Sequence, residues 1–288
     1  MQKISPFLMF NNNLGEATEL YTSAFPDAKV SGVAKAGDNV MSATFSIYGK
    51  ELLSFNGGPH FRFTPAVSFF VNCKTEQEVN QLWNKLKEGG SVLMELGAYP
   101  FSERFGWLQD KCGVSWQIHL SKQEQSVVPF LLFVGDKHGK AEEAIRFYAS
   151  QFPNSKIGNI ERFSANDQSG EKEGTVKRAD FTIAGQNFMA MDSGLAHAFT
   201  FTEGISFFVR CDTQEEIDEY WDKLSLGGVK QQCGWVKDKF GVSWQIIPPI
   251  LGAYLQDKDP QKSQRVMQAM LQMDKIDIAK LKAAYDQK

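Results

Sequence analysis

The sequence is poor in cysteine, and its four, Cys73, Cys112, Cys211 and Cys233, form no C-x-x-C pair. That argues against a disulfide framework and against a thiolate zinc site. Cys73 and Cys211 each end an apolar strand-like run just before a helix start, where a small buried thiol serves packing. Long hydrophobic runs are also missing, since none approaches the roughly 18 residues of a membrane span. The first residues, MQKISPFLMFNNN, lack both a long apolar core and a small-residue cleavage site. The expected location is therefore cytoplasmic, with no membrane partner. Charge of one sign is absent as well: the formal net charge is −3 with acidic and basic residues interspersed. No basic stripe argues for nucleic acid and no polybasic cluster for a membrane surface. A small neutral or anionic ligand is compatible with this balance. Of the familiar catalytic signatures, the sequence has no nucleophile elbow, no G-x-x-x-x-G-K-[ST] phosphate loop and no H-E-x-x-H pair.

What the sequence does have is repetition. Residues 106–118 read GWLQDKCGVSWQI and residues 234–246 read GWVKDKFGVSWQI, a thirteen-residue block repeated with three changes. Pro6-Phe-Leu-Met-Phe10 returns as Pro129-Phe-Leu-Leu-Phe133, and Tyr21-Thr-Ser-Ala-Phe-Pro26 as Tyr148-Ala-Ser-Gln-Phe-Pro153. Ser68-Phe-Phe-Val-Asn-Cys73 returns as Ser206-Phe-Phe-Val-Arg-Cys211. Leu82-Trp-Asn-Lys-Leu86 before Gly89-Gly90 returns as Tyr220-Trp-Asp-Lys-Leu224 before Gly227-Gly228. The register drifts through a longer polar loop at 164–177 and a longer segment at 91–105, as insertions between fixed elements do. A period this long means paired domains and not a solenoid, and 288 residues accommodate two.

Within each half the periods alternate in a definite order. Residues 5–11 are a short apolar run suited to a buried strand, and Leu14, Ala17, Tyr21 and Phe25 follow at helical spacing until Pro26. Three strands come next, at 29–36, 41–48 and 51–56, with Tyr48-Gly49-Lys50 as a tight connection. The order restarts with a strand at 66–72 and a helix whose N-cap is Thr75, with Glu78 at the capping-box position. Val79, Leu82, Trp83 and Leu86 line one face of that helix, and three more strands end at 114–120. The chain thus holds four βαβββ units before Pro248-Pro249. A dinucleotide-binding fold would need parallel strands alternating with helices and a glycine-rich first turn, which do not occur. Mixed sheets that curl, with helices outside and a concave inner face, are expected instead.

The repeated unit, the Tyr21…Phe25-Pro26 helix, the Asp110-Lys-Cys-Gly113-Val-Ser-Trp116-Gln117 ending and their second copies resemble the vicinal oxygen chelate superfamily. More narrowly they resemble its PhnB-like branch, often labelled demethylubiquinone methyltransferase-like, and the tail around 269–277 fits that branch too. The resemblance implies an α+β fold of tandem duplicated domains, 1–122 and 123–249. Each would hold two βαβββ units in a cupped mixed sheet with outer helices, and a helical tail would occupy 250–288. The branch label is not evidence of methyl transfer, because the chain has no glycine-rich strand-turn-helix of the kind a methyl-donor cofactor usually needs. Superfamily enzymes hold a divalent metal that chelates vicinal substrate oxygens. Here the positions aligned with the family's ligands are Ser5, Ala66 and Gln117 in one half and Val128, Gly204 and Gln245 in the other. Neutral amide, hydroxyl and apolar groups are too weak without a carboxylate or imidazole, so no metal and no cofactor are expected.

Strand alternation sorts the remaining faces. Trp116 and Trp244 oppose the glutamines and should pack under the helices. Phe7, Met9, Phe70 and Gln117 are expected on the cupped face of one half, and Phe130, Leu132, Phe208 and Gln245 on that of the other. Ser115, Gln117 and His119 share a face and form a polar strip, or His119 sits at the solvated rim. His60, His138 and His197 fall in glycine-containing loops and are expected to be solvated. Asn56 and Asp192 read as turn formers, and Asp110 and Asp238 as fixing the turn before the last strand. Such cups suit an apolar or aromatic small molecule held by few hydrogen bonds, unless phenylalanines fill them entirely. After Pro249, Val266, Met267, Met270 and Met273, then Ile278, Leu281 and Tyr285, predict two amphipathic helices, the second capped by Asp277. They dock on the domain pair or serve as a partner-binding arm. A fused pair can build within one chain the pseudo-twofold pairing that single-domain relatives reach as dimers, so a monomer is expected. The leading function is metal-free binding of a small molecule. A metal-dependent glyoxalase, lyase or dioxygenase and a structural or partner-interaction module are the alternatives.

Overall fold

The computed structural model describes residues 2–167 and 170–287. It forms two compact units, one of Pro6–Ile205 and one of Met1–Ser5 with Ser206–Lys288.

In the larger unit, β1 (Ile4–Phe10, from Pro6 onward) is followed by α1 (Leu14–Ala24), β2 (Lys29–Ala36), β3 (Asn39–Ile47) and β4 (Lys50–Asn56). α1 buries Leu14, Ala17, Leu20, Tyr21 and Ala24 and stops before Pro26. β1 runs parallel to β4, with Phe7 opposite Leu53. β3 and β4 are antiparallel across Tyr48-Gly49, where both residues hold positive φ, 47° and 70°. That is the turn whose twist matches a two-residue hairpin. The second βαβββ unit is β5 (Val67–Cys73), α2 (Glu76–Lys87), β6 (Ser91–Tyr99), β7 (Ser102–Gln109) and β8 (Ser115–Leu120). The Thr75 side chain accepts the Glu78 amide at 3.1 Å, and Glu78 in turn accepts the Lys74 amide at 2.8 Å. The expected cap is present. The third unit is β9 (Ser126–Phe133), α3 (Ala141–Gln151), β10 (Lys156–Arg162), β11 (Val176–Ile183) and β12 (Gln186–Asp192).

The second and third units share one eight-stranded mixed sheet of order β10-β11-β12-β9-β5-β8-β7-β6. Each contributes its first strand to the centre, where β5 and β9 pair antiparallel, Phe70 opposite Val128 and Ser68 opposite Phe130. The units that meet in this sheet therefore come from different sequence repeats. Alternation reports which face a side chain takes. It does not report which strand edge accepts another, because backbone pairing satisfies the same donors and acceptors with either neighbour.

The helix side of the sheet is aromatic. Trp116 is fully buried, with its ring 5.3 Å from Tyr21 of α1 and 5.2 Å from Phe25, the residue that ends that helix. On the neighbouring strand Gly106 leaves room for Trp83 of α2, since a Cβ there would lie 2.4 Å from the indole. This requirement explains Gly106 without any appeal to positive φ, whereas its counterpart Gly234 holds φ 81°.

The smaller unit holds the fourth βαβββ order: β13 (Ile205–Arg210), α4 (Gln214–Leu224), β14 (Val229–Lys230), β15 (Trp235–Lys237) and β16 (Ser243–Ile247). β13 and β16 are parallel, with Phe208 opposite Gln245. The Lys3 carbonyl accepts the Arg210 amide at 2.9 Å, so residues before Pro6 belong here. The tail forms three helices, α5 (Pro249–Leu255), α6 (Pro260–Met270) and α7 (Ile278–Asp286), one more than the sequence pattern predicts. The additional helix starts at Pro249, whose fixed φ suits a first helical position. Val266, Ile276 and Leu281 are buried, and the Met273 and Asp274 carbonyls accept the Cys233 and Gly234 amides at 2.7 Å. Asp277 caps α7 through the Lys280 amide. The tail is docked within its own unit. Among the described residues no helix is long and apolar enough to cross a membrane.

Candidate functional site

The face of the eight-stranded sheet opposite Trp116 gathers Phe70, Phe105, Val128, Phe130, Leu132, Val134 and Met189 into one apolar cluster. Registers explain the grouping. Phe70 pairs with Gln117 across β5 and β8, Trp107 with Gln117 and Phe105 with His119 across β7 and β8, and Phe130 with Met189 across β9 and β12. Phe70 lies 6.2 Å from both Phe105 and Phe130. The sheet is curled: Phe70 and Arg178 stand on strands separated by β9 and β12, about 14 Å apart if the sheet were flat. Yet the Arg178 guanidinium lies 5.8 Å from the Phe70 ring centroid.

Polar groups interrupt this surface at few places. The Gln117 amide nitrogen donates to Ser68 Oγ at 2.8 Å, and Trp107 Nε1 donates to Ser115 Oγ at 2.8 Å. Both serines are fully buried, so these contacts fix the strip. The half-buried His119 ring sits 5.3 Å from Phe70, with Nδ1 2.8 Å from Ser102 Oγ. The Ser102 hydroxyl donates to the Arg104 carbonyl at 2.9 Å. With its single proton used there, Ser102 accepts from Nδ1–H, and Nε2 of His119 keeps a lone pair. Burial first, and the Arg178 charge second, hold the His119 pKa below its ordinary value.

A titration prediction arises from this arrangement. Between its lowered pKa and the unfolded value of about 6.5, His119 binds fewer protons in the folded protein than in the unfolded chain. Its contribution to stability is therefore full above about pH 6.5 and lost as pH falls through the folded pKa. Ring-nitrogen NMR is expected to place the His119 midpoint below the ordinary imidazole value of about 6.5, and Arg178→Gln is expected to raise it. An unchanged midpoint in that variant would show that the guanidinium does not act on the ring.

The expected site residues distribute unevenly. Phe70, Ser115, Gln117, His119 and Phe130 come together on this sheet. Phe7 stands on β1 beside β4 and is absent from the cluster, which corrects the expected grouping of Phe7 and Met9 with Phe70. Phe208 and Gln245 lie on β13 and β16 of the smaller unit, where Gln245 donates to Ser206 Oγ at 2.9 Å. That contact repeats the Gln117–Ser68 contact. Two loop histidines also depart from expectation. The polar loop at 164–177, of which residues 168 and 169 lie outside the described residues, folds Glu171 inward until its side chain is 4% exposed. Glu171 accepts from Ser193 Oγ and the Gly194 amide, His138 lies 3.4 Å away, and His197 contacts Ser193. Only His60 is exposed. Asn56 and Asp192 do more than form turns: each accepts helix-start amides, Leu14 for Asn56 and Ala141 for Asp192.

Sequence reading missed Phe105, Met189 and Arg178. Alternation from Phe181, a core position, would have placed Arg178 on the opposite, concave face. The repeat also shows what is particular to it. Arg178 aligns with Ser42 and His119 with Ile247, so one sheet alone carries both groups.

These features define a vicinal oxygen chelate fold of the PhnB-like kind. A family model described as 3-demethylubiquinone-9 3-methyltransferase matches residues 2–119 and again 125–247, and the chain belongs to that family. Among solved structures, a putative 3-demethylubiquinone-9 3-methyltransferase, PhnB protein, from Bacillus cereus is 42% identical over 42% of this chain and 100% of its own, with a TM-score of 0.40. A Staphylococcus aureus protein is 38% identical over 42% of this chain and 97% of its own, with a TM-score of 0.19. Glyoxalase I from Zea mays covers 84% of this chain and 92% of its own at 12% identity and a TM-score of 0.54, a likeness of fold alone. A comparison with curated proteins finds no match.

Proposed function

We propose that the protein binds a planar, largely apolar small molecule on the concave face of the eight-stranded sheet, without a metal. One observation carries this reading. A continuous aromatic run leads from Phe101, 58% exposed, to Phe105 at 5.1 Å, and on to Phe70 and Phe130, beside the polar groups of Gln117, His119 and Arg178. An exposed ring continuous with a buried apolar lining is the form of a ligand entrance. Gln117 occupies the family's carboxylate position with its amide engaged by Ser68. Among the described residues, no group of three or more His, Cys, Asp or Glu side chains is placed to hold a metal ion. Both facts support binding without a metal.

Residues 1–122 and 123–249 are the duplicated domains in this reading, with 250–288 a structural tail. The β5–β9 pairing joins units of both repeats inside one chain, which supports a monomer. Native mass spectrometry of metal-supplemented protein, with elemental analysis, tests all of this together. The expected result is a metal-free monomer that carries or takes up an apolar ligand. Stoichiometric divalent metal would overturn it and reopen metal-dependent chemistry.

A further inference from the structure

We infer that the ligand of this concave face is an aromatic or conjugated carboxylate, its anionic end held by Arg178 and its ring stacked against Phe70 and Phe105. The inference rests on the small-molecule reading above and specifies the chemistry of that site. Arg178 is the cation on this face whose guanidinium lies over the aromatic lining, 5.8 Å from the Phe70 centroid. Its Nε is buried and has no hydrogen-bond partner among the described residues. The carboxylate of Asp180 lies 3.5 Å from Nη2, an ion pair too long for a good hydrogen bond, which an entering carboxylate must share or displace to engage Nε and Nη2 together. The Arg178 side chain is 42% exposed although Nε itself is buried, so an entering anion meets the exposed part of the side chain first and reaches Nε as the side chain shifts toward it. A guanidinium edge presents paired donors that match a carboxylate in its plane. An unpartnered buried N–H is costly until such an acceptor arrives.

Neighbouring groups agree with this assignment. Trp107, Phe105 and Tyr99 flank the lining, and the His119 ring on the other side of Phe70 offers Nε2 as an acceptor for a hydroxyl or N–H on the same ligand. The corresponding positions in the other repeats are Ser42 and Ile247, so the remaining strands lack this pairing. A flat conjugated acid satisfies the apolar wall and the guanidinium together. An aliphatic amine or a neutral hydrocarbon satisfies only one of them.

The test uses the full chain with four probes, benzoate, 2-naphthoate and their neutral amides, titrated by calorimetry. The His119 ring signals, followed by NMR, report whether binding occurs at this face. The expected result is that the acids bind at least tenfold more tightly than the amides, shift His119, and lose that preference in Arg178→Gln while Arg178→Lys keeps part of it. Equal binding of acids and amides with a His119 shift would overturn the carboxylate inference and leave the small-molecule reading intact. An acid preference that survives Arg178→Gln would remove Arg178 as the anchor and overturn it too. Failure of all four probes to bind or to shift His119 would count against both readings. Folding of the variants is checked by the unchanged dispersion of the tryptophan indole signals.

Discussion

Asp110→Ala is expected to lower the stability of the chain by about 3–5 kcal/mol, measured by urea unfolding. The carboxylate is buried and accepts four donors: the Cys112 and Val114 amides at 2.8 and 3.1 Å, Trp116 Nε1 at 2.8 Å and the Tyr21 hydroxyl at 2.9 Å. Each buried donor left without an acceptor costs about 1–3 kcal/mol, and partial rescue by water brings the sum into the upper range of single substitutions. Burial pushes the Asp110 carboxyl above its ordinary range, while the four donors oppose that shift. Asp110→Asn should be intermediate, because its amide NH2 has no acceptor opposite the indole N–H. Tyr21→Phe, which removes one donor and leaves the rest bonded, should cost about 1 kcal/mol. A loss below 1 kcal/mol for Asp110→Ala would show that this turn is not what holds α1 to the sheet. Asp238 accepts the Phe240 and Val242 amides and Trp244 Nε1 in the same way, which accounts for the recurrence of Asp-x-x-Gly-x-x-Trp in both blocks.

That recurrence is the part of the structure most legible in the sequence. Asp110, Gly113 and Trp116 act within seven consecutive residues, so their spacing encodes the contact. The same holds for Thr75 with Glu78, and for the side-chain alternation that put Trp116 under the helices and Gln117 on the other face. What could not be read was long-range. Phe70 and Phe130 occupy one cluster because β5 pairs with β9, and nothing in either strand's own pattern distinguishes that edge from another. Arg178 escaped notice for a related reason. A charged residue in a strand that also carries Lys177 and Asp180 looks like an ordinary solvated position until curvature brings β11 over β5. Glu171 was hidden differently, within a polar loop that composition alone assigns to solvent, although its side chain is nearly inaccessible. Local chemistry survives in spacing, whereas site assembly depends on which edges meet.

Phe70→Ala is expected to cost about 3–5 kcal/mol, and Phe101→Ala less than about 0.5 kcal/mol, both by urea unfolding. The two rings belong to one aromatic run but differ in environment, with Phe70 5% and Phe101 58% exposed. Phe70 touches rings on three strands, Phe105, Phe130 and His119, and lies under the Arg178 guanidinium. Its removal leaves a dry cavity that the surrounding strands cannot close without breaking their register. The expected consequence is specific: benzene added to Phe70→Ala should restore part of the lost stability, because an apolar cavity of that size binds apolar molecules in preference to water. Such rescue would establish that the concave face is at once a packed core and a surface able to accept a ring. A loss below about 1 kcal/mol would mean that Phe70 is loosely held and that the face is already open. Between these outcomes lies the energetics of the proposed ligand, whose aromatic part must replace side-chain contacts rather than fill a void. Affinity should then come from what the native lining leaves unsatisfied, which is the Nε–H of Arg178.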